Sequence, residues 1–173
     1  VYTTDAYQSR AAHLNTKKPP LDNILVRKAL AYAWPYEDVV EFVWGKDFAS
    51  VPTDMIPKAM WGSNDESPYY YDLDKAAALL DEAGYPDGGL TLDYYYISGS
   101  DNFRKMAEMY VSELDKIGIS LKLHSVTGDT LIAAHRDSNV QNQPDISAFM
   151  LWAEIPSPSA WYEFAVKSEE IPL

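Results

Sequence analysis

The sequence has 173 residues, with 14 lysines and arginines against 26 aspartates and glutamates, a net charge of −12 at pH 7 and no cysteine. This length suits one domain with a buried core, and the acidic charge argues against a nucleic-acid partner because it repels phosphate backbones. The lack of cysteine excludes disulfides, thiolate catalysis and cysteine metal sites, and no apolar run approaches the length of a membrane span.

The first third of the chain predicts a strand and two helices. Residues Tyr7 to Leu14 are typical of a strand, and Asp22 is placed to cap the helix that follows. The apolar residues of this helix repeat on one face: Val26, Ala29, Leu30 and Ala33. Pro35 ends that helix and suits the first turn of a second one, which stops at Gly45. The residues expected to pack inward from the second helix are Val39, Phe42 and Val43.

From Phe48 to Tyr71 the sequence predicts a long surface loop, because the stretch is rich in proline. It carries Trp61. This tryptophan, Trp152 and the tyrosine triplets at 69–71 and 94–96 are together more aromatic residues than a core needs. Aromatic rings with a polar edge suit recognition surfaces, so we favour ligand contact over packing for Trp152. For the tyrosine triplets at 69–71 and 94–96 we favour packing, since successive tyrosines on a strand face opposite sides.

The second half of the chain alternates helices with strands. Asp72 is placed as the N-cap of a helix that ends at Gly84. Its apolar stripe comprises Leu73, Ala76, Ala77 and Leu80. The elements that follow are a strand at Leu90 to Ile97, a helix at Asn102 to Ile117, a strand at Ile119 to Val126, a helix at Thr130 to His135 and a strand at Ile146 to Leu151. This alternation predicts an α/β fold with a mainly parallel sheet flanked by helices.

Parallel sheets bind ligands in the crevice outside the carboxyl ends of their strands. Two loops directly follow predicted strands, at Ser98 to Asn102 and at Trp152 to Pro158. These two loops are therefore the first places to look for a binding site.

Motifs for catalysis or for a cofactor are missing from the sequence. The three histidines, His13, His124 and His135, have no metal-ligand neighbour at zinc-site spacing. Carboxylate pairs such as Glu37 and Asp38 lie at helix starts, where their negative charge interacts favourably with the helix dipole. No phosphate loop, nucleophile elbow or metalloprotease helix occurs. We therefore predict no catalytic residue, no metal, no cofactor and no enzymatic activity.

Three segments carry a family resemblance in this order and spacing: LNTKKPPLDNILVRKALAYAW at 14–34, MWGSNDESPYYYDLDKAAALLDEAGYPDGG at 60–89 and RKMAEMYVSELDKIGISLKL at 104–123. Together they resemble the second lobe of the family 5 extracellular solute-binding proteins, the ligand-capturing subunits of ABC importers. The resemblance implies a periplasmic-binding-protein type II-like lobe. It also implies that residues 1–173 are a single lobe of a larger two-lobed protein, which traps solute between its lobes by hinge closure.

Relatives in this family that hold peptides often carry a tryptophan, an aspartate and a Pro-Asp-Pro-like turn after the strand that ends near residue 151. The aspartate pairs with the α-ammonium group of the peptide. The corresponding residues here are Trp152, Glu154 and Ser157. Glu154 offers the same charge with a longer reach, whereas Ser157 stands where the turn usually has its acid.

Dipeptide-binding relatives also place an arginine in the loop that corresponds to residues 98–102, where it clamps the ligand carboxylate. This chain has no arginine there before Arg104, which is expected inside the helix. The resemblance therefore disfavours a free dipeptide and favours a longer peptide held through backbone and water contacts. The full set of ligand-binding candidates is Trp152, Glu154, Ser157, Ser98, Ser100, Asn102 and Trp61.

An oligosaccharide ligand is the alternative within the family, favoured by the surplus aromatic residues. An enzyme or an interaction domain on the same fold ranks lower, and so does a nickel or other metal complex, because histidines are not clustered.

The resemblance implies ABC transporter permease subunits as partners. It implies an extracytoplasmic location, in the periplasm or on the outer face of the membrane, with a lipid anchor in the full-length protein. An isolated lobe would expose an apolar face and is expected to self-associate.

Overall fold

The computed structural model describes residues 8–54, 56–152 and 157–159. Its strands are β1 (Gln8–Leu14), β2 (Leu90–Ile97), β3 (Ile119–Val126) and β4 (Ile146–Trp152). Its α-helices are α1 (Ile24–Tyr32), α2 (Tyr36–Asp38), α3 (Leu73–Glu82), α4 (Asp101–Asp115) and α5 (Gly128–His135). A π-helical turn at Val39–Trp44 continues α2, and a 3-10 turn lies at Val140–Asn142. Within the described ranges, no helix combines the length and the apolar character needed to cross a bilayer.

The four strands form one sheet in the order β1-β4-β2-β3. Strand β2 is parallel to both β3 and β4, whereas β1 is antiparallel to β4. The prediction of a mainly parallel sheet flanked by helices is therefore confirmed. Because β2, β3 and β4 run the same way, their carboxyl ends meet at one edge of the sheet, and β1 starts there, with Gln8 opposite Trp152.

The main core lies between one face of the sheet and helices α1 and α4. Tyr94 of β2 and Tyr110 of α4 are buried with ring centroids 6.4 Å apart. The Tyr110 hydroxyl donates a hydrogen bond of 2.8 Å to the Leu30 carbonyl at the end of α1. This contact joins the two helices over the sheet, and the predicted stripe of α1 at Val26, Ala29, Leu30 and Ala33 is buried.

Helix α1 begins one residue later than predicted, because Asn23 and not Asp22 is the cap. Asn23 Oδ1 accepts a hydrogen bond from the Leu25 amide at 2.9 Å. Asp22 belongs to the preceding turn, where its amide donates to the Lys18 carbonyl and its own carbonyl accepts from Arg27. The turn takes one residue more than the sequence pattern indicates, which moves the start of the helix.

Phe42 does not pack inward as predicted; its side chain is 67% exposed. Val39 is buried, but the turn at Val39–Trp44 is π-helical and closes with a hydrogen bond from the Gly45 amide to the Val40 carbonyl. A π turn holds more residues than an α turn, so the ordinary helical spacing used for the prediction misplaces Phe42. Ala77 of α3 is likewise exposed, whereas Ala76 and Leu80 are buried as predicted.

The predicted loop at 48–71 has no helix or strand among its described residues. Of the tyrosine triplets, Tyr94 and Tyr96 are buried, which confirms the preference for packing on β2. Tyr70 is 55% exposed, but its ring packs edge-on against Tyr32 at 5.4 Å. Lys75 Nζ lies 4.1 Å from the Tyr32 ring centroid and so completes a small cation–π cluster.

A buried ion pair ties the start of the domain to the centre of the sheet. Lys18 Nζ lies 2.9 Å from Asp145 Oδ1 and donates a hydrogen bond of 3.0 Å to the Gln143 carbonyl. The second oxygen, Asp145 Oδ2, accepts from the Asp93 amide of β2 at 2.7 Å. The Asp145 carbonyl accepts from the Asn15 amide at 2.9 Å. One acidic residue thus connects the turn after β1, strand β2 and the start of β4.

We expect Asp145→Asn to lower the free energy of unfolding by about 3 kcal/mol, because it leaves the Lys18 ammonium buried without its counter-charge. Urea unfolding followed by circular dichroism measures this change. The control is Glu41→Gln, which breaks the exposed ion pair with Lys46 and should change the free energy little. Adding Lys18→Met to Asp145→Asn should restore part of the loss; equal effects of Asp145→Asn and the control would contradict the assignment.

On the opposite face of the sheet, His13 stacks on Phe149 with ring centroids 4.1 Å apart, and His135 of α5 packs edge-on against the same ring. The Nε2 atoms of both histidines and the hydroxyl of Ser147 are buried and find no hydrogen-bond partner in the described part of the chain. Burial, and secondarily the charge of His135, lowers the pKa of His13 from 6.5 to about 4.

His13 is therefore neutral in the folded chain but takes up a proton in the unfolded chain below pH 6.5. Since the folded pKa is depressed, its contribution to stability is complete above about pH 6.5 and is lost as the pH falls toward 4, by up to about 3 kcal/mol. We expect His13→Phe to keep the stack and to become progressively more stable than the wild type over this window. Urea unfolding from pH 7.5 to 4 tests this; a difference that stays constant with pH would refute it.

Candidate functional site

Two helices begin at the carboxyl edge of the sheet, each directly after a strand. Strand β2 ends at Ile97 and passes through a short loop to the Ser100 cap of α4, and β3 ends at Val126 and passes to the Thr127 cap of α5. The Ser98 amide donates to the Val126 carbonyl at 2.7 Å, which holds the two loops side by side. This edge therefore presents backbone amide groups and small polar side chains.

The three polar candidates of the β2–α4 loop differ in their surroundings. The Ser98 side chain is exposed, and Asn102 is half-buried in the first turn of α4. The Ser100 hydroxyl accepts a hydrogen bond from the Phe103 amide at 3.4 Å and so caps the helix. Arg104 lies inside the helix, as predicted, and pairs with Glu108 at 2.8 Å. The loop thus offers hydroxyl and amide groups to a ligand and no cation.

The candidates after β4 are only partly described. Trp152 is the last residue of β4, and its side chain lies outside the description, as does all of Glu154. Ser157 is half-buried, with its hydroxyl oxygen 2.7 Å from that of Ser159. Their roles in binding stay predictions.

Trp61 is 77% exposed. The next residue in the chain, Gly62, lies beside the segment that follows β4. A Cβ atom built on Gly62 would lie 3.7 Å from Cγ of Pro158, which is ordinary van der Waals contact. The long loop and the segment after β4 are therefore adjacent although almost a hundred residues separate them in the chain. Sequence reasoning named residues in both segments, and the fold brings the segments together.

Arg10 and Trp44 were not among the predicted site residues. Arg10 lies two residues from the start of β1, opposite Met150, and its guanidinium carbon is 4.6 Å from the Trp44 ring centroid. Trp44 packs edge-on against Phe103 of α4 at 6.3 Å. Burial lowers the pKa of Arg10 below its usual value, yet an arginine stays charged at neutral pH. The sequence signal that could have identified Arg10 is its place on the strand face that it shares with the apolar residues Ala12 and Leu14.

Metal binding has no support in the described part of the chain, where no group of three or more histidine, cysteine, aspartate or glutamate side chains comes together. His124 pairs with Asp93, whose Oδ1 is 2.8 Å from Nε2, and stacks on Tyr95. His13 and His135 contact Phe149.

The sheet carries α4 on one face and α5 on the other, which is the arrangement of an α/β fold. The sequence matches the profile described as bacterial extracellular solute-binding proteins, family 5 middle, over residues 1–171. The chain belongs to this family, which confirms the resemblance and agrees with the prediction that it is a binding protein and not an enzyme.

Curated relatives include the dipeptide-binding protein of Escherichia coli (strain K12), with 37% identity over 114 residues, or 63% of this chain and 21% of the relative. The heme-binding protein A of Haemophilus influenzae is 37% identical over 110 residues, or 61% of this chain and 20% of the relative. The glutathione-binding protein GsiB of Salmonella typhi is 27% identical over 153 residues, or 88% of this chain and 29% of the relative. The chain thus spans between a fifth and a third of the length of these proteins.

Solved structures of the family share the fold. The periplasmic binding protein DppA from Helicobacter pylori, in complex with the peptide STSA, matches with a TM-score of 0.79 and 29% identity over 91% of this chain and 29% of its own. HbpA2 from Haemophilus parasuis matches with a TM-score of 0.82 and 26% identity over 93% of this chain and 32% of its own. The chain therefore has the fold of the type II periplasmic binding proteins, as predicted.

The capping role of Ser100 gives a stability prediction for the site. We expect Ser100→Ala to lower the free energy of unfolding by about 1 kcal/mol, because α4 loses its N-cap, and Ser100→Asp to restore it. Ser98→Ala is the matched control, since that side chain is exposed, and it should have no effect. Thermal and urea unfolding measure these changes; equal effects at the two serines would contradict the cap.

Proposed function

We propose that this chain forms part of the ligand-binding wall of an ABC importer's solute-binding protein, which holds its solute between this lobe and a second lobe. The single observation that carries the proposal is family membership over 171 residues combined with the fold of a relative solved with a bound peptide. The carboxyl edge of β2, β3 and β4 is the wall that faces the solute.

An oligopeptide is the proposed solute. Two solved relatives of similar fold carry peptides, the DppA protein with STSA and a dipeptide-binding protein from Pseudoalteromonas sp. SM9913 with Met-Leu; the latter matches with a TM-score of 0.76 and 26% identity. We assign Glu154 as the partner of the peptide ammonium group and Trp152 as an apolar wall. The loop residues Ser98, Ser100 and Asn102, together with Ser157, contribute polar contacts to the peptide backbone.

An oligosaccharide is the second candidate, because the indole of Trp61 is exposed and could stack on a sugar ring, and the next residue, Gly62, lies against Pro158 after β4. In that case aromatic contact would dominate and Glu154 would contribute little. The two solutes therefore differ in which of these side chains matters for binding.

The remaining features of the full protein are proposals of the same kind. It delivers its solute to ABC transporter permease subunits and works outside the cytoplasm, held to the membrane by a lipid anchor. The isolated chain self-associates through apolar side chains that are exposed here, such as Phe42, Phe48 and Trp61.

The test is a thermal-shift screen of the full-length protein with mixed peptides, oligosaccharides and nickel chelates. A ligand that binds only the folded state raises the melting temperature by mass action. We expect a shift with peptides and, in Glu154→Ala, about a tenfold loss of affinity through the lost charged hydrogen bond.

Glu66→Ala is the control, since Glu66 is an exposed acid in the long loop. It should bind peptides as the wild type does. A shift with sugars alone, abolished by Trp61→Ala and unaffected by Glu154→Ala, would replace the peptide assignment with the oligosaccharide one.

A further inference from the structure

Arg10 differs from most basic residues whose contacts the structure gives. Lys46, Arg104 and Lys116 each lie within 3.4 Å of a carboxylate, and so does Lys18. Arg10, although the chain carries 26 acidic residues, has no acidic side chain at ion-pair distance in the described ranges. Among the described residues it makes one hydrogen bond, from Nη2 to Gln8 Oε1 at 3.3 Å.

The position of the guanidinium is fixed by packing. The group lies over the Trp44 ring, and Trp44 is itself held edge-on by Phe103, which is 8% exposed. A planar guanidinium carries five N–H donors in a rigid fork, and the bond to Gln8 uses one of them. Partial burial removes water from the cation, and the described residues give it no counter-ion, which favours an incoming anion.

The location of Arg10 matches the proposed solute wall. Strand β1 begins at the carboxyl edge, and the register places Arg10, opposite Met150, two residue pairs inward from the pair of Gln8 and Trp152. Trp44 packs against Phe103. The Phe103 amide donates a hydrogen bond to the Ser100 hydroxyl, which caps α4 at the end of the β2–α4 loop. The Arg10 side chain is thus connected through two aromatic rings to the loop at the end of β2.

We propose that Arg10, supported by Trp44, is the site that binds a carboxylate of the captured solute, with the fork of Arg10 donating two parallel hydrogen bonds to the carboxylate oxygens. This inference rests on the proposed capture of a peptide. A carboxylate suits the site better than a phosphate, because the net charge of −12 opposes a doubly charged group more strongly than a singly charged one. In a peptide the carboxylate comes from the C-terminus or from an acidic side chain.

The competing explanation is that Arg10 only packs on Trp44. The two explanations predict different behaviour in Arg10→Met, which keeps an unbranched side chain over the ring and removes the charge and the donors. Arg10→Lys keeps the charge without the fork, and so it should retain part of the effect. Arg104→Met is the matched control: it also removes an arginine near the loop, but one already paired with Asp101 and Glu108.

The experiment measures the affinity of the full-length protein for three pentapeptide pools by thermal shift. The first pool lacks aspartate and glutamate and has a free C-terminus, the second is the same pool amidated at the C-terminus, and the third is amidated and carries one glutamate. We expect the wild type to prefer a carboxylate-bearing pool over the second by about tenfold or more. Preference for the first pool identifies the C-terminus as the source, and preference for the third identifies a side chain.

Arg10→Met should bind all three pools with the affinity of the second, Arg10→Lys should show a reduced preference, and Arg104→Met should behave as the wild type. Equal binding of the three pools by the wild type, or an unchanged preference in Arg10→Met, would overturn the role of Arg10 and leave peptide capture standing.

If no pool binds, the proposed peptide function fails and a separate readout decides the role of Arg10. Titration with sodium acetate, followed by the side-chain Nε–H signal of Arg10 in a nitrogen-15 spectrum, detects carboxylate binding without a peptide. The signal is assigned by its loss in Arg10→Lys. A saturable shift of this signal supports the carboxylate site, and an unmoved signal overturns it.

Discussion

The ion pair between Lys18 and Asp145 sits where three parts of the chain must meet. A buried carboxylate needs both a counter-charge and hydrogen-bond donors, and that of Asp145 obtains them from Lys18 and from the Asp93 amide of β2. The backbone carbonyl of Asp145 also accepts a hydrogen bond from the Asn15 amide. Strand β4 starts at the next residue and pairs with β1 and β2 from there. The pair therefore lies where β4 joins β1 on one side and β2 on the other.

The packing of the two faces follows from this register. Because side chains alternate along a strand, the register that buries Tyr94 and Tyr96 under α1 and α4 also places Arg10 and Met150 on that same face. The opposite face receives His13 and Phe149 beneath α5. A cation on the core-facing side of an outer strand thus results from the same constraint that builds the core. It lies two residues from the sheet end at which the loops lie.

Much of the fold could be predicted from local patterns. The strands β2 and β3 begin and end where the alternation and the turn residues place them, and the Asp72 cap of α3 is confirmed by its bond to the Lys75 amide. The errors have specific causes. The turn before α1 takes one more residue than expected, so Asn23 replaces Asp22 as cap, and the π turn rotates Phe42 outward. Both depend on contacts or hydrogen bonds that a helical repeat does not encode.

By itself, the sequence determined the α/β class, the family and the loops at the strand ends, because periodicity, caps and motif order are local properties of the chain. The tertiary structure alone decided which of these distant segments touch. It placed Gly62 of the long loop against Pro158, and it stacked Arg10 on Trp44 although more than thirty residues separate them. Such contacts depend on strand register and helix packing, which arise from the burial of the whole core and not from the spacing of residues along any one segment.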